Sequence, residues 1–299
     1  MKYALGVMQL GSDEALFTRS FVRQYAKAAE DAGFDGIFFT EHPIPDDRWL
    51  ATGGHDALDP FVALSFVAAA TERVRLITNL TVLPYRNPFL LAKSVATLDL
   101  LSDGRVTLGV GVGYLQGEYD ALGVDHGERN ELFDEVLEVA RKAWTGKSVQ
   151  HNGKHFTAKG NTARPTPIQA HIPVWVGGNS TLSLRRVATT ADGWIPLHNP
   201  ASLGNRRRSP SLEGLDDLEA YLGRLKTLRA EAGRADAPLD VMWHDMFGIV
   251  SDGEKAKLRD DLHRQAELGI TWNSVTCTEH DPTSILAFID SFGDKIIRG

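Results

Sequence analysis

Short apolar runs and longer amphipathic segments alternate along the chain, and the pair recurs eight times. The apolar runs fall at residues 3–8, 36–40, 75–81, 106–109, 173–176, 193–195, 239–244 and 271–276. They are strand-length and too short for helices. Between them the period changes to that of a helix. Over 17–32, Phe21, Tyr25, Ala28 and Ala29 recur on one stripe, and over 131–145 Leu132, Phe133, Val136, Leu137, Ala140 and Trp144 do the same. Further helices are predicted at 181–190, 216–232, 254–267 and 282–297. Three helix starts use one device, Asp59-Pro60, Asn87-Pro88 and Asp281-Pro282. In each, a side-chain oxygen accepts the first free N–H, and a proline follows where its missing N–H costs nothing.

Apolar strands alternating with helices imply a parallel sheet covered on its faces. Eight strands close a sheet into a (β/α)8 barrel of the TIM type, with an open doubly wound sheet as the competing α/β arrangement. No shift in composition marks a second domain, so residues 1–299 read as one. Three connections are long. Residues 41–58 follow the second strand, 149–172 contain the hairpin signal Asn152-Gly153, and 198–215 contain Arg206, Arg207 and Arg208.

Composition changes this picture only by exclusion. A formal net charge of −7 argues against a nucleic-acid binder. The single cysteine, Cys277, forbids an internal disulfide and suits a cytoplasmic setting. The opening MKYALGV reads as a first strand rather than a signal peptide, and no apolar run is long enough to span a membrane.

Catalytic groups in such a barrel sit just after the strands. That rule selects Glu41 and His42 after the second strand, and Asn79, Thr81 and Tyr85 after the third. Gly111, Gly113 and Glu118 follow the fourth, and Gly177, Gly178, Asn179 and Ser180 the fifth. His198 follows the sixth, and His244 and Asp245 end the seventh. An imidazole beside a carboxylate can be held in one tautomer for proton transfer, which singles out His42 with Glu41. The turn Gly177-Gly178-Asn179-Ser180 opens a helix, so it is either a phosphate grip or a plain turn with an Asn/Ser cap. Gly109, Gly111 and Gly113 do not have the dinucleotide-binding spacing. They either let a flat ring lie against backbone or serve packing at a barrel corner. The Arg206–Arg208 run is a solvated loop or a grip on an anionic tail. Trp49 stands apart from the other tryptophans, because its loop is polar and follows His42. No zinc pattern, nucleophile elbow or phosphate-binding loop of the NTPase kind is present.

Residues 85–113, YRNPFLLAKSVATLDLLSDGRVTLGVGVG, strongly resemble the luciferase-like monooxygenase superfamily, and within it the branch that depends on coenzyme F420. AEDAGFDGIFFTEH at 29–42 and IPVWVGGNSTLSLRRVATTADGW at 172–194 support the likeness, which weakens after residue 196. The resemblance implies a barrel with an isoalloxazine-type ring at the carboxyl ends of its strands. It implies hydride transfer between F420 and a small organic substrate, in a chain that commonly pairs as a homodimer. A bulge after the third strand would bind the ring, with a non-prolyl cis peptide mapping to Thr81-Val82 and with Asn79 beside it. Gly177, Gly178, Asn179 and Ser180 would hold the phosphate, and Gly111 and Gly113 would flank the ring. His42 would donate or accept the substrate's proton, oriented by Glu41, and Glu118 matches an acidic position of the family. Two relatives of this reading are an FMN-dependent monooxygenase fed by a separate reductase and a non-catalytic flavin-binding protein. A reading of a different class is a barrel hydrolase using Glu41 and Glu118 as acid and base.

Overall fold

Proline at the first turn and an oxygen before it set three of the helices as expected. Asp59 accepts the N–H groups of Phe61 and Val62 at 2.9 and 3.0 Å. Asn87 accepts from Phe89 and Leu90, and Asp281 from Thr283 and Ser284. The computed structural model describes residues 1–7, 14–201 and 209–299. Met8 and the arginines 206–208 lie outside these residues.

The strands in chain order are β1 (Lys2–Val7), β2 (Gly36–Phe39), β3 (Arg75–Thr78), β4 (Thr81–Val82), β5 (Val106–Gly111), β6 (Val149–Asn152), β7 (Thr157–Asn161), β8 (Val174–Gly177), β9 (Gly193–Ile195), β10 (Asp240–Phe247) and β11 (Trp272–Cys277). β6 and β7 form the antiparallel hairpin signalled by Asn152-Gly153. The others run parallel, β1 pairing with both β2 and β11 and β3 pairing with β5, so the sheet closes. The closed ring excludes the open doubly wound alternative and gives the (β/α)8 barrel.

The principal helices follow the strands: α1 (Arg19–Ala32), α2 (Asp47–Ala51), α3 (Pro60–Ala68), α4 (Pro88–Leu101), α5 (Gln116–Ala121), α6 (Arg129–Trp144), α7 (Thr181–Thr189), α8 (Leu215–Glu231), α9 (Lys255–Glu267) and α10 (Pro282–Phe292). The short helices α2 and α5 sit within strand-end loops and carry no apolar stripe that would have marked them. No helix among the described residues is long and apolar enough to cross a membrane.

Side chains alternate across each strand, and here the alternation separates two cores. Ala4, Phe38, Ile77, Trp175, Ile195, Met242 and Trp272 fill the inside of the barrel. Their neighbours Leu5, Ile37, Leu76, Val176, Trp194, Val241 and Val275 face the helices.

One strand departs from the expected run. Residues 75–81 do not form a single strand, because pairing stops at Thr78 and resumes at Thr81. β3 pairs with the start of β5 and β4 with its end, Thr81 opposite Val110 and Val82 opposite Gly111. Asn79 and Leu80 lie between as a bulge, and the non-prolyl cis peptide is Asn79-Leu80. The expectation of a cis bond at Thr81-Val82 is therefore corrected by two residues, since those two are paired in the sheet.

The bulge also explains the glycines. A Cβ on Gly109 would lie 2.1 Å from the carbonyl oxygen of Thr78. A Cβ on Gly111 or Gly177 would lie 2.8 or 2.5 Å from Cδ1 of Leu80. Leu80 packs on the inner core, so these glycines make room for the bulge. Packing against Leu80 thus accounts for the bare backbone at Gly111.

The two obstacles differ in kind, which gives a test. Gly109→Ala and Gly177→Ala are each expected to cost ~1–3 kcal/mol, read as a lowered urea midpoint. Adding Leu80→Ala should recover much of the loss at Gly177, where the obstacle is a side chain. It should recover little at Gly109, where the obstacle is backbone.

Candidate active site

Glu41 and His42 leave β2 in extended chain, where successive side chains point to opposite sides. Glu41 turns away from His42. Its carboxylate is buried and accepts the Val82 N–H at 2.5 Å and the Arg86 Nε–H at 2.7 Å. Arg86 adds a second bond to it through Nη2 and reaches Asp59 at 2.8 Å. The expectation that Glu41 orients His42 is thereby corrected. Glu41 instead fastens β4, just past the bulge, to the end of β2.

The carboxylate facing His42 is Glu118, on α5. Its Oε1 lies 3.4 Å from His42 Nδ1, and the Glu118 side chain is only 2% exposed. Among the described residues neither atom makes a hydrogen bond, to the other or elsewhere. Glu118 Oε2 accepts the Tyr85 hydroxyl at 3.2 Å. The hydrolase reading needs Glu41 and Glu118 to work as a pair. Here one is neutralised by Arg86 and the other faces an imidazole.

Burial is the first influence on each titratable neighbour. It pushes the Glu41 carboxyl above its ordinary value, against Arg86 and the Val82 N–H. It pushes the Tyr85 phenol up, with Glu118 adding to the rise, so the hydroxyl stays a donor. It pushes His55 down, so that imidazole stays neutral near neutral pH.

The loop after β2 closes around His42. Asp46 caps α2 by accepting the Trp49 N–H at 2.8 Å. The Trp49 ring then lies 4.5 Å from that of His42, and His55 stands edge-on to His42 at 5.1 Å. Tyr114 closes another side at 6.0 Å. Trp49 was legible from its polar loop. His55 was not, because its approach depends on the turn after α2.

The glycine turn is built differently from expectation. Gly178 has φ +99°, a conformation that favours glycine, and its N–H donates to Ile195 O at 3.0 Å. Asn179 is buried, donating to Leu197 O and Pro210 O and accepting from Leu197 N. Its side chain fastens the connection after β9 and is not available to a ligand. Ser180 caps α7 by accepting from Ser183 N at 3.0 Å. The anion-binding capacity of the turn therefore rests on the N–H groups of the first turn of α7.

Other candidates serve the frame. Thr81 and Val82 are buried in β4, and the Thr81 hydroxyl has no hydrogen-bond partner. Asn79 donates its N–H to Phe39 O at 2.8 Å. Gly113 has φ +70° and lies under Val82 and the Tyr85 hydroxyl. Asp245 faces outward and accepts from Trp243, Gln265 and Asn273. His244 lies against Ser274, and His198 Nε2 donates to Glu213 O at 3.1 Å.

The family described as luciferase-like monooxygenase matches residues 4–269. The chain belongs to this family. It is 31% identical to an uncharacterised protein of Mycobacterium tuberculosis over 91% of this chain and 92% of that one. It is 36% identical to an F420-dependent glucose-6-phosphate dehydrogenase of Beutenbergia cavernae, over 57% of this chain and 50% of that one. The fold superposes on a monooxygenase from Streptomyces bottropensis with a TM-score of 0.83, at 19% identity, covering 100% and 99% of the two chains. The luciferase-like chain is thus an oxidoreductase by family and a TIM barrel by structure.

The Glu41–Arg86 pair makes a direct prediction. A group held above its unfolded value costs stability as pH rises through its own titration. Without Arg86, little opposes the burial of Glu41. Arg86→Met is expected to lose about 3–5 kcal/mol near pH 8 and distinctly less near pH 5, where Glu41 can take up a proton. Urea unfolding at the two pH values reads the difference, and an equal loss at both contradicts the assignment.

Proposed function

We propose that this luciferase-like oxidoreductase uses coenzyme F420 to transfer a hydride to or from a small organic substrate, with His42 handling the substrate's proton. The observation that carries the reading is the His42–Glu118 contact beside the bulge at the barrel mouth. Support for F420 comes from the Beutenbergia cavernae relative, whose name states that dependence.

The residues present suit such a cofactor. His42 Nδ1, Glu118 Oε1 and Thr81 Oγ1 are buried polar atoms at the mouth without hydrogen-bond partners. The first turn of α7, entered through Gly178 and capped by Ser180, suits the phosphate of an anionic tail. The bulge backbone at Asn79 and Leu80 would hold the ring from the side of the inner core, with Val82, Gly111 and Gly113 behind it. When bound, the deazaflavin supplies a carbon centre that takes or gives a hydride.

The chain does the remainder. With Nδ1 turned to Glu118, the Nε2 of His42 is left for the substrate's hydroxyl or carbonyl oxygen. Accepting a proton there leaves an imidazolium whose charge the Glu118 carboxylate offsets, and donating it back reverses the step. Trp49, His55 and Tyr114 wall the imidazole and limit water around it.

Thermal unfolding with F420 and with FMN tests the cofactor. A ligand at one hundred times its dissociation constant adds ~2.7 kcal/mol. Stabilisation by F420 is expected. Stabilisation by FMN alone replaces the proposal with the reductase-fed monooxygenase, and stabilisation by neither overturns it. His42→Ala should keep F420 binding within a few-fold while lowering turnover by about 100-fold or more. Turnover that survives the change removes His42 from the chemistry.

A further inference from the structure

We propose that Tyr85 is a positioning residue, whose hydroxyl donates to the Glu118 carboxylate and draws part of its charge away from the imidazole of His42. The inference rests on the reading of His42 as the proton-handling group. It concerns a residue that would act through Glu118.

Tyr85 lies in the short 3-10 turn after β4, the same stretch that serves Glu41. Val82 and Arg86 bind Glu41, and Tyr85 between them binds Glu118. One five-residue stretch thus answers both buried carboxylates at the mouth, but with unlike partners. Glu41 receives a cation. Glu118 receives a neutral phenol on one oxygen and the imidazole of His42 at 3.4 Å on the other. Among the described residues, its adjacent countercharge is the one His42 acquires when protonated. A hydroxyl that donates to a carboxylate takes up part of its charge, which leaves less of that charge facing the imidazole.

The neighbours leave that pair as the exchanging unit. Among the described residues, the titratable groups around Glu118 and His42 are His55 and Asp46 in the loop after β2, Tyr85, Tyr114, and Tyr119 within α5. Burial holds His55 down and the phenols of Tyr85 and Tyr119 up. Glu41 is occupied by Arg86. Gly113 keeps Tyr85 in reach, because a Cβ there would lie 3.2 Å from the hydroxyl and 2.8 Å from Val82.

The test reads the cofactor-free protein, so it stands apart from the choice of cofactor. Imidazole 15N signals are followed against pH, with His42 assigned by its loss in His42→Asn. Tyr85→Phe should raise the midpoint of the His42 titration by roughly 0.5–1 pH unit, the size that a typical net hydrogen-bond contribution converts to when it reaches the imidazole through Glu118. In the assay, the corresponding limb of the kcat/KM profile should move the same way. Tyr119→Phe, whose hydroxyl bonds Val112 O, should leave both in place. In a Glu118→Gln background, Tyr85→Phe should have no further effect. An unchanged or lowered midpoint overturns the proposal, as does an equal shift without Glu118. If Tyr85→Phe does not fold, fluorotyrosine labelling substitutes for it. A stronger hydroxyl donor must then lower the midpoint, and a midpoint that stays put overturns the proposal. F420 failing to bind while the midpoint shifts as stated would overturn the cofactor reading and leave the role of Tyr85 in setting the pair intact.

Discussion

The arrangement of the mouth depends on one interruption, the bulge at Asn79 and Leu80 between β3 and β4. A barrel strand that ran straight through would have kept its pairing with β5. Instead pairing resumes two residues later, Leu80 enters the top of the inner core, and β4 emerges with the Val82 N–H aimed at Glu41. Three glycines on two neighbouring strands stand where any side chain would collide with the displaced segment. The turn after β4 then delivers Tyr85 and Arg86 to the two buried carboxylates. Shifting the bulge by one residue would turn β4 over and separate all of these contacts at once.

The carboxylates show how one local environment produces two behaviours. Both are buried, and burial alone disfavours charge on either. Arg86 offsets part of that conflict at Glu41, which becomes a fastening between strand ends. Among the described residues Glu118 has no such cation, and one of its oxygens faces His42 without a hydrogen bond. On the proposed reading the chemistry belongs to the pair of Glu118 with His42, whereas the Glu41–Arg86 pair serves the architecture.

Much of the fold was legible because its signals are local. The three Asp/Asn-Pro caps, the short apolar strand runs other than 75–81 and the Asn152-Gly153 hairpin each occupy a few adjacent residues, and each formed as read. The errors share a cause. Glu41 and His42 are adjacent in sequence, which suggested a partnership, but extended chain sends neighbours to opposite sides. The true partners lie 45 residues away for Glu41 and 76 for His42. Asn179 looked like a ligand-binding polar residue and proved to be a fastening, because its acceptors at Leu197 and Pro210 belong to a distant connection. Likewise, a glycine states that space is needed without stating for what. At Gly111 and Gly177 the answer was Leu80, which only the bulge brings there.

That distribution of labour bears on cofactor choice. The features that suit a flavin-type ring and its phosphate are largely backbone: a bulge, a turn with one left-handed glycine, and the N–H groups of a helix start. Backbone groups recognise ring shape and anionic charge, which FMN and F420 share. The two differ at the reacting position of the ring, a nitrogen in one and a carbon in the other, in the substituents at its far edge, and in the tail. Discrimination must then fall to side chains at the mouth and to the chemistry permitted there. A deazaflavin reacts poorly with oxygen, so a site that uses it needs a proton partner for the substrate and no provision for a peroxide. His42 with Glu118, walled by Trp49, His55 and Tyr114, meets the first of these needs with groups the fold itself does not require.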